Sequence, residues 1–443
     1  MSDLDITRFQ PARLIPVTGI KGALDQERRA ASALLAVMQG VPELTVELLK
    51  EYGAFNGVVQ SFIEPEFKIN GKKIRPDGLL RITKGKRTWT ALVEFKTGSN
   101  ELELNQINQY LDIAKQENYQ ALITISNQVL NATGAHPTEG IDNRRLRSTA
   151  LIHLSWLKVI TECLILSEHT KVSDADRAWV LRELIRFLQS DASGASEFND
   201  MGPNWVGVRE SIKTGSIKKT DDAVIDVVSK FQNLVRYCAF TLAAKTGVDA
   251  TEIVPKSARL DGKKFLVAEA TKLIAEKNIE GAIKIPGAAS ELNIKADLAA
   301  GVLHCGFELA APVEGKNKTR LNWLLKQFKE VPKDARLAIG YKRARNLEAS
   351  VSLFALKSGE LELELDSSRE LALFRVDSVR TFGTKRSRGQ GAFIDSVLKQ
   401  VTDTYSQLLQ PVKPWAASAP KLSESVKELL PELTEKEQAS SGS

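Results

Sequence analysis

The chain is poor in cysteine, histidine and aromatic residues, and it has no long apolar run. Its three cysteines, Cys163, Cys238 and Cys305, lie far apart, which argues against a disulfide scaffold or a cysteine-ligated zinc site. No stretch approaches the roughly 18 apolar residues of a membrane helix. The start, Met-Ser-Asp-Leu-Asp, lacks the basic and apolar regions of a secretory signal. These absences predict a cytoplasmic protein without a membrane span.

What is present is the composition of an ordinary globular protein, with 43% hydrophobic and 26% charged residues. A length of 443 residues predicts two or three folding units at roughly 100–200 residues each. The net charge of +6 is uneven, because residues 201–415 carry 34 Lys and Arg against 25 acids, whereas residues 1–200 carry 24 against 25. This basic half permits a polyanionic partner, but a solvated surface of mixed charge explains it equally well.

Composition shifts predict three parts of the chain. Residues 1–200 form a first domain with a core at about 20–155 and a helical extension. Residues 201–415 form a basic second domain of α/β or α+β type and unknown role. The Gly-, Ser- and Asn-rich stretch 189–220 marks the boundary, and the end at 416–443 reads as a mobile tail.

Hydrophobic periodicity predicts the order helix–β–β–β–helix–β in the first core, hence an α/β unit with a mixed sheet. The expected helices are 23–39 and 100–116, the second with Asn100 as N-cap, and the expected strands are 62–67, 74–82, 88–96 and 121–126. A helix capped by Ser173 is expected to bury Trp179. In the second domain we expect helices at 221–245, 320–330 and 392–409, and strands at 262–269, 301–310, 336–341, 349–356 and 361–366.

Two carboxylates are predicted to meet at one end of a hairpin. If the strands on either side of Gly85-Lys86 pair antiparallel about that turn, Asp77 lies opposite Glu94, with Cβ atoms about 5 Å apart. Alternation along the strand places Lys96 on the same face as Glu94. Two like charges so close repel each other, and a hard divalent cation such as Mg²⁺ would remove the conflict.

Three further residues are candidates for the same site. Gln106 and Tyr110 are i and i+4 on the second helix, so both can reach a phosphate or an attacking water. Glu27 lies on the apolar stripe of the first helix, where a buried carboxylate needs a partner such as a shared metal. Favourable charge at a helix N-terminus explains Glu27 equally well.

The motifs Pro76-Asp77, Glu94-x-Lys96 and Gln106-x-x-x-Tyr110 in this context resemble the PD-(D/E)XK nuclease superfamily, and most of all its RecB-type branch. The resemblance covers about residues 20–155 and implies a restriction-endonuclease-like αβββαβ core. It implies that Asp77, Glu94 and more weakly Glu27 hold Mg²⁺, for which Mn²⁺ substitutes. It further implies that Lys96 is the catalytic lysine and that Gln106 and Tyr110 form an accessory motif.

The sequence departs from that branch in one respect, because all four histidines follow the Pro-Asp strand instead of preceding it. The resemblance implies a nuclease acting on DNA in repair, restriction or defence against foreign DNA. The alternative is a catalytically silent DNA-binding or assembly module that retains the fold. The acidic-x-Lys pairs at Asp261/Lys263 and Glu314/Lys316 contain glycine and read as turns.

A phosphodiester substrate requires a positive rim around an anionic site. Residues 68–96 contain nine Lys and Arg against only two acids. The residues predicted to contact nucleic acid are Lys72, Lys73, Arg75, Arg144, Arg145 and Arg147. A polar hairpin surface is the competing interpretation. The second domain is also a candidate surface for a protein partner or a second copy of the chain.

Overall fold

The computed structural model describes residues 14–15, 18–69, 71–98, 100–128, 136–170, 172–195, 198–217 and 220–416. Within these ranges the side chains of Ile69, Lys72, Asp191, Arg259 and Leu260 are left out of the description. The predicted mobile tail therefore lies outside the described residues, apart from Ala416.

The first half of the chain is a mixed α/β unit with a mixed sheet. Its elements are α1 (Ala23–Gly40), α2 (Pro42–Leu49), β1 (Val58–Ile63), β2 (Phe67–Ile69), β3 (Lys72–Ile74), β4 (Gly78–Lys84), β5 (Arg87–Phe95), α3 (Leu104–Gln116), β6 (Ala121–Ser126), β7 (Ala150–Ser155), α4 (Trp156–Ile165) and α5 (Ala175–Leu188). The five-stranded sheet has the order β1-β4-β5-β6-β7. The pairs β1/β4 and β4/β5 are antiparallel, whereas β5/β6 and β6/β7 are parallel.

Strands β1 to β4 form one long hairpin that is interrupted by two prolines. The register that pairs Ile63 with Gly78 in β1/β4 continues as Phe67 with Ile74 in β2/β3. In this register Pro65 lies opposite Pro76, and neither residue has an N–H to donate to the ladder. The predicted strands 62–67 and 74–82 were therefore wrong at these ends, because the prolines divide each of them.

Helices cover both faces of this sheet. On one face α1, α2, α4 and α5 pack on apolar side chains such as Leu80, Val93 and Ile123. On the other face α3 packs on Leu79, Leu92 and Leu122. Two positions differ from the prediction, because Asp174 rather than Ser173 caps α5, and Trp179 is exposed.

The second half is built on a seven-stranded antiparallel sheet. Its elements are α6 (Trp205–Thr214), α7 (Asp222–Thr246), β8 (Thr251–Glu252), α8 (Lys256–Leu260), α9 (Gly262–Glu276), β9 (Asn278–Lys284), β10 (Leu292–Asp297), β11 (Val302–Ala310), α10 (Asn317–Gln327), β12 (Ala335–Tyr341), β13 (Val351–Ser352), α11 (Leu353–Ser358), β14 (Leu371–Thr381) and α12 (Phe393–Thr404). The strand order is β13-β12-β14-β11-β10-β9-β8. The long helix α7 and α12 pack on its buried face.

Three strand predictions in this half were wrong. Residues 262–269 are helical in α9, because Asp261 caps the helix by accepting from the Lys264 N–H at 3.0 Å. Residues 349–356 form a two-residue strand followed by α11, and 361–366 pair with no strand. The prediction also missed β9, β10 and the interior strand β14.

The hydrophobic cores divide between Ala195 and Met201, with the largest core running from Met201 to Val412. Helix α4 of the first half packs against α7 of the second. Within the described residues, no single helix is both long and apolar enough to cross a membrane. Helix α1 and the following helical segment Pro42–Tyr52 are long and apolar enough only when they are taken together, and the chain bends by 104° between them.

Candidate functional site

The two carboxylates lie opposite each other at the end of a ladder. The β4/β5 pairing runs from Lys84 with Arg87 to Gly78 with Val93, so its next position brings Asp77 opposite Glu94. This confirms the predicted register about the turn at Gly85-Lys86. The Phe95 backbone N–H donates to Asp77 Oδ2 at 2.7 Å and fixes that carboxylate against the neighbouring strand.

The Lys96 ammonium lies between two carboxylates from different elements. Its Nζ is 2.7 Å from Glu94 Oε1 and 3.3 Å from Glu27 Oε1 on α1. The Lys96 N–H donates to the Ile125 carbonyl at 2.8 Å, and the Trp156 Nε1–H donates to the Lys96 carbonyl at 2.8 Å. The ring of Trp156 is buried and stacks on Phe95 with centroids 5.7 Å apart. The lysine backbone is therefore held from both sides.

Glu94 is the most deeply buried acid of the site, with 1% of its surface exposed. Its Oε2 is buried and has no hydrogen-bond partner in the described part of the chain. Burial, and next the negative charge of Asp77, raises the pKa of Glu94 to about 8. Burial also raises the pKa of Asp77, although the Phe95 N–H opposes the change. Without a bound cation, the pair therefore keeps a proton on Glu94 at neutral pH instead of carrying two negative charges.

Burial lowers the pKa of the Lys96 ammonium, but the charges of Glu94, Glu27 and Asp77 outweigh burial and leave this pKa raised. The lysine is therefore a cation at neutral pH. Burial raises the pKa of Glu27 despite the opposing charge of Lys96 and a hydrogen bond with Asn100. Asn100 is thus a partner of Glu27 and not the predicted N-cap of α3, whose cap position is Glu103.

Gln106 and Tyr110 lie on one face of α3, as their spacing predicts. The Gln106 Nε2–H donates to the Tyr110 hydroxyl at 3.0 Å, and that hydroxyl donates to the Arg75 carbonyl at 3.3 Å. Burial, followed by the charge of Glu94, raises the pKa of Tyr110, which keeps the phenol protonated beside the acids. Both side chains thus belong to the same polar cluster as Glu94.

The described residues contain no group of three or more His, Cys, Asp and Glu side chains arranged to hold a metal ion. Asp77 and Glu94 lie together, but Glu27 reaches Glu94 only through the Lys96 ammonium. A cation at this site would thus have two protein carboxylates beside it, with the third on the far side of a lysine.

The predicted nucleic-acid contacts come from two segments of the chain, and most of those with described side chains are already paired with acids. Lys73 and Arg75 both bind the Glu66 carboxylate, at 2.8 and 2.7 Å. The remaining members are Arg144, which lies 3.6 Å from Asp142, Arg145, which lies 2.8 Å from Asp112, and the exposed Arg147. The Lys72 side chain lies outside the described residues. The net positive charge of this rim is smaller than a count of its cations suggests.

Sequence reasoning missed a second polar group beside the acids. Thr124 on β6 pairs with Glu94 on β5, and His153 on β7 pairs with Thr124. Strand β6, Ala121–Ser126, is apolar except for Thr124 and its last residue, a serine. Strand β7, Ala150–Ser155, is likewise apolar except for His153 and its last residue, also a serine. The shared position of these two residues in adjacent parallel strands was a usable signal.

No protein-family model, curated protein or solved structure matches this chain.

Proposed function

We propose that the chain is a divalent-metal-dependent nuclease that hydrolyses phosphodiester bonds in DNA, and that its first half is a restriction-endonuclease-like core. One observation carries the proposal. Among the described residues, Glu94 has a buried oxygen without a hydrogen-bond partner, and it lies opposite a second, half-buried carboxylate, Asp77. Two acids this close, one of them fully buried, repel each other unless a cation joins them or one of them keeps its proton.

The residues fit Mg²⁺ or Mn²⁺, because hard cations prefer carboxylate oxygens and complete their shell with water and phosphate oxygens. Asp77 and Glu94 would hold the ion, with Glu27 as a third candidate. When bound, the ion would make a bound water more acidic and neutralise charge on the phosphate.

The remaining side chains have roles that follow from their protonation states. Lys96 is charged at neutral pH, so it can stabilise negative charge that develops on a phosphate but cannot accept a proton from water. The Tyr110 phenol stays protonated, and its hydroxyl can donate to a phosphate oxygen or a water if it exchanges its 3.3 Å hydrogen bond to the Arg75 carbonyl for that contact. Gln106 holds that hydroxyl in place through its 3.0 Å hydrogen bond.

The test is cleavage of supercoiled, linear and single-stranded DNA with Mg²⁺ or Mn²⁺. We expect Asp77→Ala and Lys96→Ala to lower the rate by about 100-fold or more. Lys263→Ala is the matched control, because Lys263 belongs to an acidic-x-Lys pair outside the site and makes an exposed ion pair with Glu139. Cleavage that survives both site substitutions would overturn the assignment.

The alternative is a catalytically silent DNA-binding or assembly module that retains the fold. It is favoured by Lys96, whose ammonium already contacts the Glu27 and Glu94 carboxylates. An internal cation of this kind could satisfy the acids without a metal. DNA binding without cleavage under any divalent ion would select this alternative.

A further inference from the structure

Six residues beside the candidate site form a closed ring of hydrogen bonds that the proposed chemistry does not use. The ring joins the ends of β6 and β7 to the segment in front of α3. Its members, in order around the ring, are His153, Gln128, Leu102, Thr138, His136 and Thr124.

The donors and acceptors around His153 are determined by its partners. His153 Nε2 lies 2.8 Å from the Gln128 carbonyl oxygen, which can only accept, so Nε2 carries the proton. Nδ1 is then an acceptor, and the Thr124 hydroxyl donates to it at 3.0 Å. The Ile152 carbonyl also lies near this hydroxyl, at a longer 3.2 Å. Thr124 and His153 are both buried.

His136 has the same tautomer for a different reason. Its Nδ1 accepts from the Thr138 backbone N–H at 3.1 Å, so Nε2 carries the proton and donates to the Thr124 hydroxyl oxygen at 2.8 Å. The Thr124 hydroxyl thus accepts from one imidazole and donates to the other. Burial lowers the pKa of both histidines to about 4, so both rings are neutral near pH 7.

The ring closes through the backbone of Leu102. The Leu102 N–H donates to Gln128 Oε1 at 3.2 Å, and the Leu102 carbonyl accepts from the Thr138 hydroxyl at 3.2 Å. Leu102 is buried and lies two residues before α3 begins at Leu104. Both hydrogen-bonding groups of this residue are therefore committed to the ring.

The ring and the acids share one row of the sheet. Thr124 pairs with Glu94 in the parallel β5/β6 ladder, where neighbouring strands are about 4.8 Å apart. Helix α3 starts at the ring and carries Tyr110, whose phenol interacts with Glu94, and Gln106, which donates to that phenol. A displacement at Leu102 would therefore move both side chains relative to the acid.

We propose that Thr124, His136 and His153 are positioning residues of the site, because their ring holds the start of α3 in the place where Tyr110, hydrogen-bonded by Gln106, interacts with Glu94. The catalytic consequence rests on the proposed nuclease function. The effect on α3 does not, so the two can be tested separately.

The test compares Thr124→Val, which keeps the side-chain shape but removes the hydroxyl, with Thr124→Ser, which retains it. In the full chain, amide hydrogen exchange at Leu102 and the first turn of α3 should be about tenfold faster in Thr124→Val, while β5 is unchanged and Thr124→Ser resembles the wild type. Imidazole nitrogen NMR on the four histidines should show the Nε2–H tautomer for His136 and His153 in the wild type.

Cleavage kinetics with Mg²⁺ provide the second readout. We expect Thr124→Val to lower kcat about tenfold with KM for DNA nearly unchanged, and Thr124→Ser to restore kcat. If the wild type does not cleave but exchange responds as expected, the nuclease proposal fails and the ring's structural role stands. If exchange and kcat are the same in Thr124→Val as in the wild type, or if either histidine is the Nδ1–H tautomer, the positioning role is overturned.

Discussion

Replacing Glu94 by glutamine should change how the stability of the metal-free protein depends on pH. The substitution keeps the size of the side chain and removes the negative charge that burial and Asp77 disfavour. The pKa of Glu94 is raised from its ordinary 4.5 to about 8. Between these two values the unfolded chain has lost the Glu94 proton while the folded protein keeps it. The free energy of unfolding of the wild type therefore falls as pH rises across this window.

The difference between 4.5 and about 8, at about 1.4 kcal/mol for each pH unit, corresponds to a change of the order of 5 kcal/mol. Glu94→Gln lacks this titration, so the variant should gain stability relative to the wild type by that order from pH 4.5 to 8. Contacts of Glu94 that do not depend on its charge shift the two curves but not their relative slope, whereas the ion pair with Lys96 titrates with Glu94 and is already part of its pKa.

The assay is urea unfolding of both proteins in EDTA at half-unit steps from pH 4.5 to 9. Titrations far from Glu94 are common to both proteins and cancel in the difference, whereas Asp77, Lys96 and Tyr110 have pKa values that depend on Glu94 and contribute to it. Adding Mg²⁺ at pH 8 should then raise the midpoint of the wild type and leave that of Glu94→Gln unchanged. Parallel stability curves in EDTA would refute the reasoning, because they would mean that Glu94 is not a disfavoured buried anion.

Three other predictions concern the surroundings of the site. Trp156→Phe keeps an aromatic ring against Phe95 but removes the donor to the Lys96 carbonyl, so it should lower the free energy of unfolding by about 1 kcal/mol. An unchanged midpoint in urea would mean that this hydrogen bond does not stabilise the fold. His153, with its pKa lowered from 6.5 to about 4, makes the wild type lose about 3 kcal/mol of stability as pH falls from 6.5 to 4, since the unfolded state binds the proton first. Thermal unfolding of His153→Asn should show a weaker acid dependence, and an equal dependence would refute this. Glu66→Gln frees Lys73 and Arg75 from their ion pairs, so the variant should bind DNA more tightly in EDTA. A plot of the logarithm of the binding constant against the logarithm of the salt concentration should become steeper by about 1 to 2. An unchanged slope would show that neither cation contacts a phosphate.

The sequence predicts that Asp77 and Glu94 lie opposite each other because this part of the site depends on local geometry. A two-residue turn at Gly85-Lys86 fixes the register of its hairpin, and this alone brings Asp77 opposite Glu94. Helical spacing likewise brings Gln106 and Tyr110 onto one face. The side chains that surround these residues come from distant segments, and their contacts depend on how helices and strands pack.

Two features of the structure could not be predicted from local sequence patterns. Residues 262–269, with Phe265, Leu266 and Val267, resemble a strand, but Asp261 caps a helix there and the amphipathic stripe continues to Leu273. The ring through Thr124 joins residues from 102 to 153, and no pattern in the sequence indicates the tautomers of His136 and His153. A lone threonine and a lone histidine in apolar strands were nonetheless visible, and their parallel pairing connects them to Glu94.

Calorimetric titration of the wild type, Asp77→Asn and Glu94→Gln with Mn²⁺ at pH 7.5 tests the central claim most directly. We predict one ion per chain for the wild type and a loss of affinity of at least about tenfold in each variant, because each removes one of two shared ligands. Equal binding of Mn²⁺ by all three proteins, or none by the wild type, would contradict a cation shared between Asp77 and Glu94.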